Sequence, residues 1–269
     1  MIVNGREIAE EIKKELREKI VELSAASKPR LALVIVGENP TIERFVSAKK
    51  KFAADIGVSV SEIRLPSAVS TESAILAVQR VAETAEGIVV QLPLPLSLNA
   101  EAVLNAIPAE ADVDALSQES ARQFEIKSSV MPPVIGAIQE VLIRHSIFLG
   151  GKKVLVVGQG KLVGQPAAIW FKRQGTAVTV CDMGDDLSAL AQDADIIVLG
   201  AGVPGLLRPE MIKQGVIILD AGTSEEGGKV VGDADPACAE KAALFTPTPG
   251  GIGPITVAML FKNLVDLGM

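Results

Sequence analysis

Acid–base chemistry in this chain has few possible carriers, because its 269 residues include one histidine, His145, and no tyrosine. Proton transfer therefore falls to lysine, carboxylates, bound water or a cofactor. Lys49 is one candidate. Phe45 precedes it by four residues, so a helix sets an aromatic plate and an amine on one face, an arrangement suited to a flat heterocyclic ligand. Arg44, Lys50 and Lys51 add charge to the same segment, for which a solvated face is the ordinary explanation. Gln91 follows the apolar run GIVV and precedes LPLP, which puts its amide at the carboxyl end of a buried strand, where open α/β sheets bind ligands. A satisfied structural amide is the competing reading. Asp112 and Asp114 lie two apart in ADVDAL and point the same way in an extended segment, one suited to capping and the other to a ligand.

A second group of candidates suits phosphate and ribose. Gly158, Gln159, Gly160, Lys161, Leu162, Val163 and Gly164 follow the strand-like KVLVV and precede a helix, a turn that lets a pyrophosphate approach backbone at a helix N-terminus. The spacing is GxGxxxG rather than the commoner GxGxxG. Asp182 closes the next strand, 24 positions after Gly158, where dinucleotide folds place an acid on the ribose hydroxyls. Asp185 and Asp186 follow, and no lysine or arginine occurs between Val178 and Leu190, so the local charge favours NAD over NADP. A solvated acidic loop is the alternative. The loop TPTPGGIGPIT at 246–256 holds three prolines and three glycines, which is costly unless backbone must approach a ligand closely. His145, after Arg144 at a helix end, reads as a capping or surface residue, and Trp170 and Phe171 as core.

The elements that must position these groups alternate. Ile8, Ile12, Leu16 and Ile20 mark an amphipathic first helix. LALVIV at 31–36, a helix over 41–56, VSVSEI at 58–63, a helix from Thr71 and GIVVQ at 87–91 then read as βαβαβ. A second series runs from KKVLVVG at 152–158 through a helix after Gly164 to TAVTVCD, DADIIVLG, GVIILDAG and ALFTPTPGG, short apolar strands suited to a parallel sheet covered on both faces. SSVMPPVIG interrupts the two series, and the domain boundary is expected there, before a helix of about ten residues ending near His145. Val257, Leu260, Phe261, Leu264 and Leu267 share one face of a last helix, while Leu206, Leu207 and Met211 suit core or interface.

Composition closes off several classes. Hydrophobic residues at 48% and charged residues at 22% describe an ordinary globular chain. A net charge of −7 argues against non-specific nucleic-acid binding. Cys181 and Cys238 form no metal-binding cluster and suit a reduced, cytoplasmic setting. The charged N-terminus does not read as a signal peptide, and no run reaches the length of a membrane span.

Together QLPLP, DVD, the glycine turn, VVGD at 230–233 and PTPGGIGPITVA resemble, over nearly the full length, the bifunctional methylenetetrahydrofolate dehydrogenase/methenyltetrahydrofolate cyclohydrolase family. The resemblance implies an α/β fold of two domains flanking an active-site cleft. The folate-binding domain spans 1–132 and is completed by a helix at 254–269, and the Rossmann-like dinucleotide domain spans 133–253. It implies hydride transfer from methylenetetrahydrofolate to a nicotinamide cofactor, then hydrolysis of the methenyl product to formyltetrahydrofolate, in the one-carbon metabolism that serves purine biosynthesis. Lys49 and Gln91 match the pair that activates water, Asp114 the acid on the pterin amino edge, and Phe45 the stacking position. Gly250, Gly251 and Pro254 line the substrate side, and Gly158, Gln159, Gly160, Gly164, Asp182, Met183 and Thr223 the cofactor side. No metal is implied, and a homodimer is.

Departures from the family pattern carry their own expectations. The family's tyrosine is Phe45, which keeps stacking and lacks a hydroxyl to orient Lys49, so a monofunctional NAD-dependent dehydrogenase is an alternative. KDVDG is ADVDA here, PCTPxG is PPVIGA around Pro132, the arginine and serine after the first glycine are Gln159 and Gly160, and CHSR is CDMG. The cofactor-side changes remove phosphate partners and again favour NAD. A non-catalytic folate or dinucleotide binder is the further alternative.

Overall fold

The computed structural model describes residues 1–24, 28–126 and 130–268, which fall into two compact units, Glu10–Pro133 with Val257–Met269 and Met1–Ala9 with Val134–Thr256. Ser128 and Ser129 of the boundary segment, and Met269 of the last helix, lie outside the described residues. In chain order the first elements are α1 (Gly5–Val21), β1 (Arg30–Val36), α2 (Pro40–Ile56), β2 (Ser59–Leu65), α3 (Thr71–Ala82), β3 (Gly87–Val90), α4 (Ala100–Leu104) and α5 (Gln118–Ile126). They are followed by α6 (Pro133–Arg144), β4 (Lys153–Val157), α7 (Gly164–Arg173), β5 (Ala177–Cys181), α8 (Leu187–Asp193), β6 (Ile196–Leu199), β7 (Ile217–Asp220), β8 (Ser224–Glu226), β9 (Lys229–Val231), β10 (Leu244–Thr246) and α9 (Ile252–Gly268). The fold is α/β, with one parallel sheet in each unit.

One unit is built on a three-stranded sheet of order β2-β1-β3. Leu31–Val36 is buried without interruption, as a central parallel strand covered on both faces requires. Ile12, Leu16 and Ile20 of α1 are buried at the expected spacing. So are Leu260, Phe261 and Leu264 of α9, where Phe261 stacks on Phe52 with centroids 5.0 Å apart.

The other unit holds a five-stranded sheet of order β10-β7-β6-β4-β5. The chain runs from β4 outward to β5 and then returns to the opposite side of β4, so the topological switch point, at whose carboxyl ends open α/β sheets bind ligands, lies between β4 and β6. The first nine residues, expected with the folate-binding domain, cluster with this sheet instead. Main-chain pairing is the cause: Val3 N–H donates to Phe245 O and Phe245 N–H to Met1 O, both at 2.9 Å, extending the edge at β10. Leu207 is fully buried, with Leu206 and Met211 packed against the same cluster, which makes this trio core. Trp170 and Phe171 are buried edge to face at 4.7 Å, and His145 Nδ1 lies 2.8 Å from Val141 O at the end of α6. Among the described residues no helix is long and apolar enough to cross a membrane, and no group of three or more His, Cys, Asp or Glu is placed to hold a metal ion.

Candidate active site

Helix α2 presents the first candidates. Asn39 caps it through Oδ1, accepting from Thr41 N–H at 2.9 Å, Pro40 opens it, and Gly57 ends it at φ 81°. Its buried stripe is Ile42, Val46, Lys49, Ala53 and Ile56, so Lys49 occupies a position where helical periodicity calls for an apolar side chain. The basic run thereby divides: Lys49 is only 8% exposed, while Lys50 points outward to pair with Glu62. One turn before Lys49, Phe45 is 39% exposed, a ring left open on the surface.

Gln91 continues the ladder of β3, its N–H donating to Val34 O at 2.9 Å. The side chain is 7% exposed and held at both ends: Oε1 accepts from Lys49 Nζ at 2.7 Å, and Nε2 donates to Leu92 O at 2.9 Å. Burial lowers the pKa of Lys49, opposed by the charge of Asp114, so the three predicted residues come together in one unit. Half-buried Asp114 is pushed up to about 6 by burial, an effect that Lys49 restrains and Asp112 reinforces. Of the two aspartates Asp112 takes the structural part: fully buried, it accepts from Leu116 N–H at 3.3 Å and Ser117 N–H at 2.8 Å and so shapes the loop that carries Asp114. Asn263, which sequence reasoning missed, ties the same loop to the segment before α6 by donating to Val113 O at 2.9 Å and Met131 O at 2.8 Å. A lone amide between Phe261 and Leu264 on an apolar helix was its signal.

On the five-stranded unit, Gly158 ends β4 at φ 93°, and a Cβ there would meet Gly200 O at 2.8 Å. A Cβ on Gly164 would lie 2.0 Å from Gly158 O, so these two glycines are required by the chain's own packing. Gly160 differs, since the nearest atom to its added Cβ is 3.9 Å away and its backbone is exposed. Open space over Gly160, beside the start of α7 and the switch point, fits a pyrophosphate. Asp182 sits at the end of β5, accepting from Gln159 Nε2 on Oδ2 and from Met183 N–H on Oδ1, both at 2.8 Å. Asp185 accepts from Asp182 N–H at 2.9 Å, and Asp186 caps α8 by accepting from Ala189 N–H at 3.0 Å. These acids therefore hold a turn as well as charging it. The side chain of Met183 is 98% exposed, and Thr223 is exposed in the segment after β7.

The proline–glycine loop finds a partner within the chain. Gly250, at φ 107°, accepts from Gly5 N–H at 2.9 Å, and a Cβ on Gly5 would fall 1.8 Å from Gly251 O. Close backbone approach is real, and part of it is to the start of α1. Pro254 is half-buried in the first turn of α9. Two further acids of this unit are buried, Asp220 and Asp233; Asp233 closes the VVGD motif that carries part of the resemblance, and neither acid was given a site role from sequence.

Residues 3–114 match the tetrahydrofolate dehydrogenase/cyclohydrolase catalytic domain, and residues 132–268 match the NAD(P)-binding domain of the same family. The Bifunctional protein FolD of Mycoplasmopsis synoviae is 36% identical over 99% of each chain. The bifunctional FolD enzyme of Campylobacter jejuni, a methylenetetrahydrofolate dehydrogenase/cyclohydrolase, superposes with a TM-score of 0.95 at 32% identity, covering 100% of this chain and 98% of that one. A Trypanosoma brucei enzyme solved with NADP and an inhibitor gives 0.94 at 33% identity, covering 100% of this chain and 97% of that one. On these matches and the two parallel-sheet units, the chain belongs to the tetrahydrofolate dehydrogenase/cyclohydrolase family.

Proposed function

We propose that this chain oxidises methylenetetrahydrofolate to the methenyl form with a nicotinamide cofactor and hydrolyses the product to formyltetrahydrofolate. The observation that carries the reading is the buried Lys49 amine fixed on Gln91 Oε1 at 2.7 Å, with its pKa lowered by burial. A neutral amine keeps an N–H for Gln91 and turns its lone pair elsewhere, toward a water whose proton it accepts as the oxygen adds to the methenyl carbon. The Gln91 amide, anchored on Leu92, takes over the orienting task that the missing tyrosine hydroxyl leaves open. Exposed Phe45 offers a stacking surface for the pterin. Asp114 binds the pterin amino edge, and a positive methenyl ligand lowers the pKa of Lys49 further.

A nicotinamide cofactor held on this unit would supply the acceptor for the hydride of the methylene carbon. Gly158, Gly160 and Gly164 with the start of α7 would hold its pyrophosphate, Asp182 its ribose, and Gln159, Met183 and Thr223 would flank it. Gly250, Gly251 and Pro254 would line the substrate side. We assign NAD as the preferred form, because Asp182, Asp185 and Asp186 charge this turn negatively with no lysine or arginine between Val178 and Leu190. The family resemblance also brings a homodimer and a cytoplasmic setting into the proposal, and light scattering of the purified protein reads the first.

The deciding experiment follows methylenetetrahydrofolate oxidation with NAD or NADP, and methenyl decay in a separate cuvette. Reduction of NAD ahead of NADP together with enzyme-dependent methenyl decay is expected. Equal efficiency with both cofactors overturns the NAD assignment, hydride transfer without hydrolysis overturns the role of Lys49, and the absence of both activities overturns the enzyme.

A further inference from the structure

Two acids outside the glycine turn are used in a way that core packing does not demand. The fully buried Asp233 carboxylate accepts three consecutive backbone N–H groups, from Ala201 at 2.7 Å, Gly202 at 3.0 Å and Val203 at 2.9 Å. Behind it, Asp220 accepts from Gly222 at 2.9 Å, Asp233 at 3.3 Å and Ala234 at 3.0 Å. Glycines make room for both carboxylates: a Cβ on Gly222 would meet Asp233 Cγ at 2.2 Å, and one on Gly232 would meet Asp220 Oδ2 at 2.1 Å. Burial pushes Asp220 up to about 6 and raises Asp233 as well, so holding both charged is expensive.

The segment they hold is the loop leaving β6 at the topological switch point. It lies directly against the glycine turn, since a Cβ on Gly158 would meet Gly200 O at 2.8 Å and Ala201 Cα at 3.0 Å, and a Cβ on Gly200 would meet Val163 Cβ at 2.5 Å. On its other side the loop is open, with Ala201, Gly202 and Val203 all exposed. Three N–H groups in a row on one carboxylate restrict the conformation of this loop.

We propose that Asp233, backed by Asp220, is a positioning residue for the dinucleotide, locking the loop at 200–203 in the shape that completes one wall of the cofactor crevice. This rests on the dinucleotide reading of the five-stranded unit. A loop already fixed loses little freedom when the ligand docks, so the lock acts on cofactor affinity rather than on folate chemistry.

The test is calorimetric titration of wild type, Asp233→Asn and Asp233→Ala with NAD and NADP, alongside dehydrogenase kinetics and methenyl hydrolysis. Asn, which keeps one acceptor, should weaken dinucleotide binding roughly tenfold and Ala more, raising the dinucleotide KM while the folate KM and methenyl hydrolysis stay within about twofold of wild type. Unchanged dinucleotide affinity in the folded variants overturns the proposal, as does an equal loss of every activity. Wild-type protein that binds neither dinucleotide overturns the underlying reading and the proposal with it. If neither variant folds, hydrogen exchange of the wild type decides: the amides of Ala201, Gly202 and Val203 should be protected in the free protein and slower still with dinucleotide. Exchange that the dinucleotide does not slow overturns the lock.

Discussion

At the scale of single residues, Lys49 carries two opposed requirements. Its amine sits where α2 needs an apolar group, and burial lowers its pKa, so function is obtained at a cost in stability. Lys49→Met should reduce methenyl hydrolysis at least about 100-fold, impair NAD(P) reduction much less, and leave the Tm unchanged or higher. A variant that still hydrolyses methenyltetrahydrofolate would remove Lys49 from the mechanism. Asp114 follows the same logic with the sign worked through. Its folded pKa of about 6 stands above the ordinary 3.8, so the folded state disfavours its charge at neutral pH, and this penalty vanishes on acidification below about 4. Asp114→Asn should therefore stabilise at pH 7.5 by up to about 3 kcal/mol and by almost nothing at pH 4, while folate KM rises. Denaturant titrations at the two pH values check it, and equal effects at both would remove the charge argument. On the cofactor side, Gln159→Arg with Gly160→Ser returns the two family-type donors. This pair should raise kcat/KM for NADP relative to NAD about tenfold, and steady-state kinetics with both cofactors read the ratio.

Elements decide how well those residues could be read in advance. The glycine turn joins β4 to α7, and its glycines play unequal parts that spacing alone does not distinguish. Gly164→Ala drives a Cβ to 2.0 Å from the Gly158 carbonyl oxygen, whereas Gly160→Ala enters open space. The first should cost about 3 kcal/mol and the second less than about 0.5 kcal/mol in urea unfolding. Equal costs would mean that the turn relaxes freely and that its packing does not define it. Helix α2 was legible because its apolar spacing, its Asn39 cap, Pro40 and Gly57 all agree, and the anomaly of a lysine in the buried stripe follows from the same periodicity. The parallel strands were legible as short apolar runs. The pairing of residues 1–3 along β10 was not, because edge pairing depends on main-chain groups that every residue carries. The Asp220–Asp233 lattice was hidden for a related reason: the two acids lie thirteen residues apart in sequence, and only the folded loops bring six N–H groups to them.

For the molecule as a whole, motif order carried the family and the two-unit architecture, while the division of labour among acids emerged only from burial. That division sets how the protein responds to pH. Asp114 and Asp220 titrate near 6 in the folded state and Asp233 is raised as well, so in the window between about 4 and 6 the folded chain binds more protons than the unfolded one. Stability from these groups rises as pH falls through that window. Lys49 has the opposite sign, because its protonated form is the one burial penalises: the stability it contributes falls as pH drops from the ordinary 10.5 toward its lowered folded value. Surface carboxylates paired with arginine or lysine, such as Glu43, Glu62 and Glu119, have lowered values, so their contribution is present above the unfolded value of 4.5 and fades only below it. The two sets therefore act in successive windows. Scanning calorimetry should find a Tm roughly 5 °C higher at pH 5 than at pH 7.5, followed by a fall below pH 4. Asp220→Asn and Asp114→Asn should each flatten the first limb and leave the second in place. A Tm that declines steadily from pH 7.5 to 5 would mean that the buried acids are neutralised by partners other than protons, and would remove the electrostatic cost on which the readings of Asp114 and Asp220 both depend.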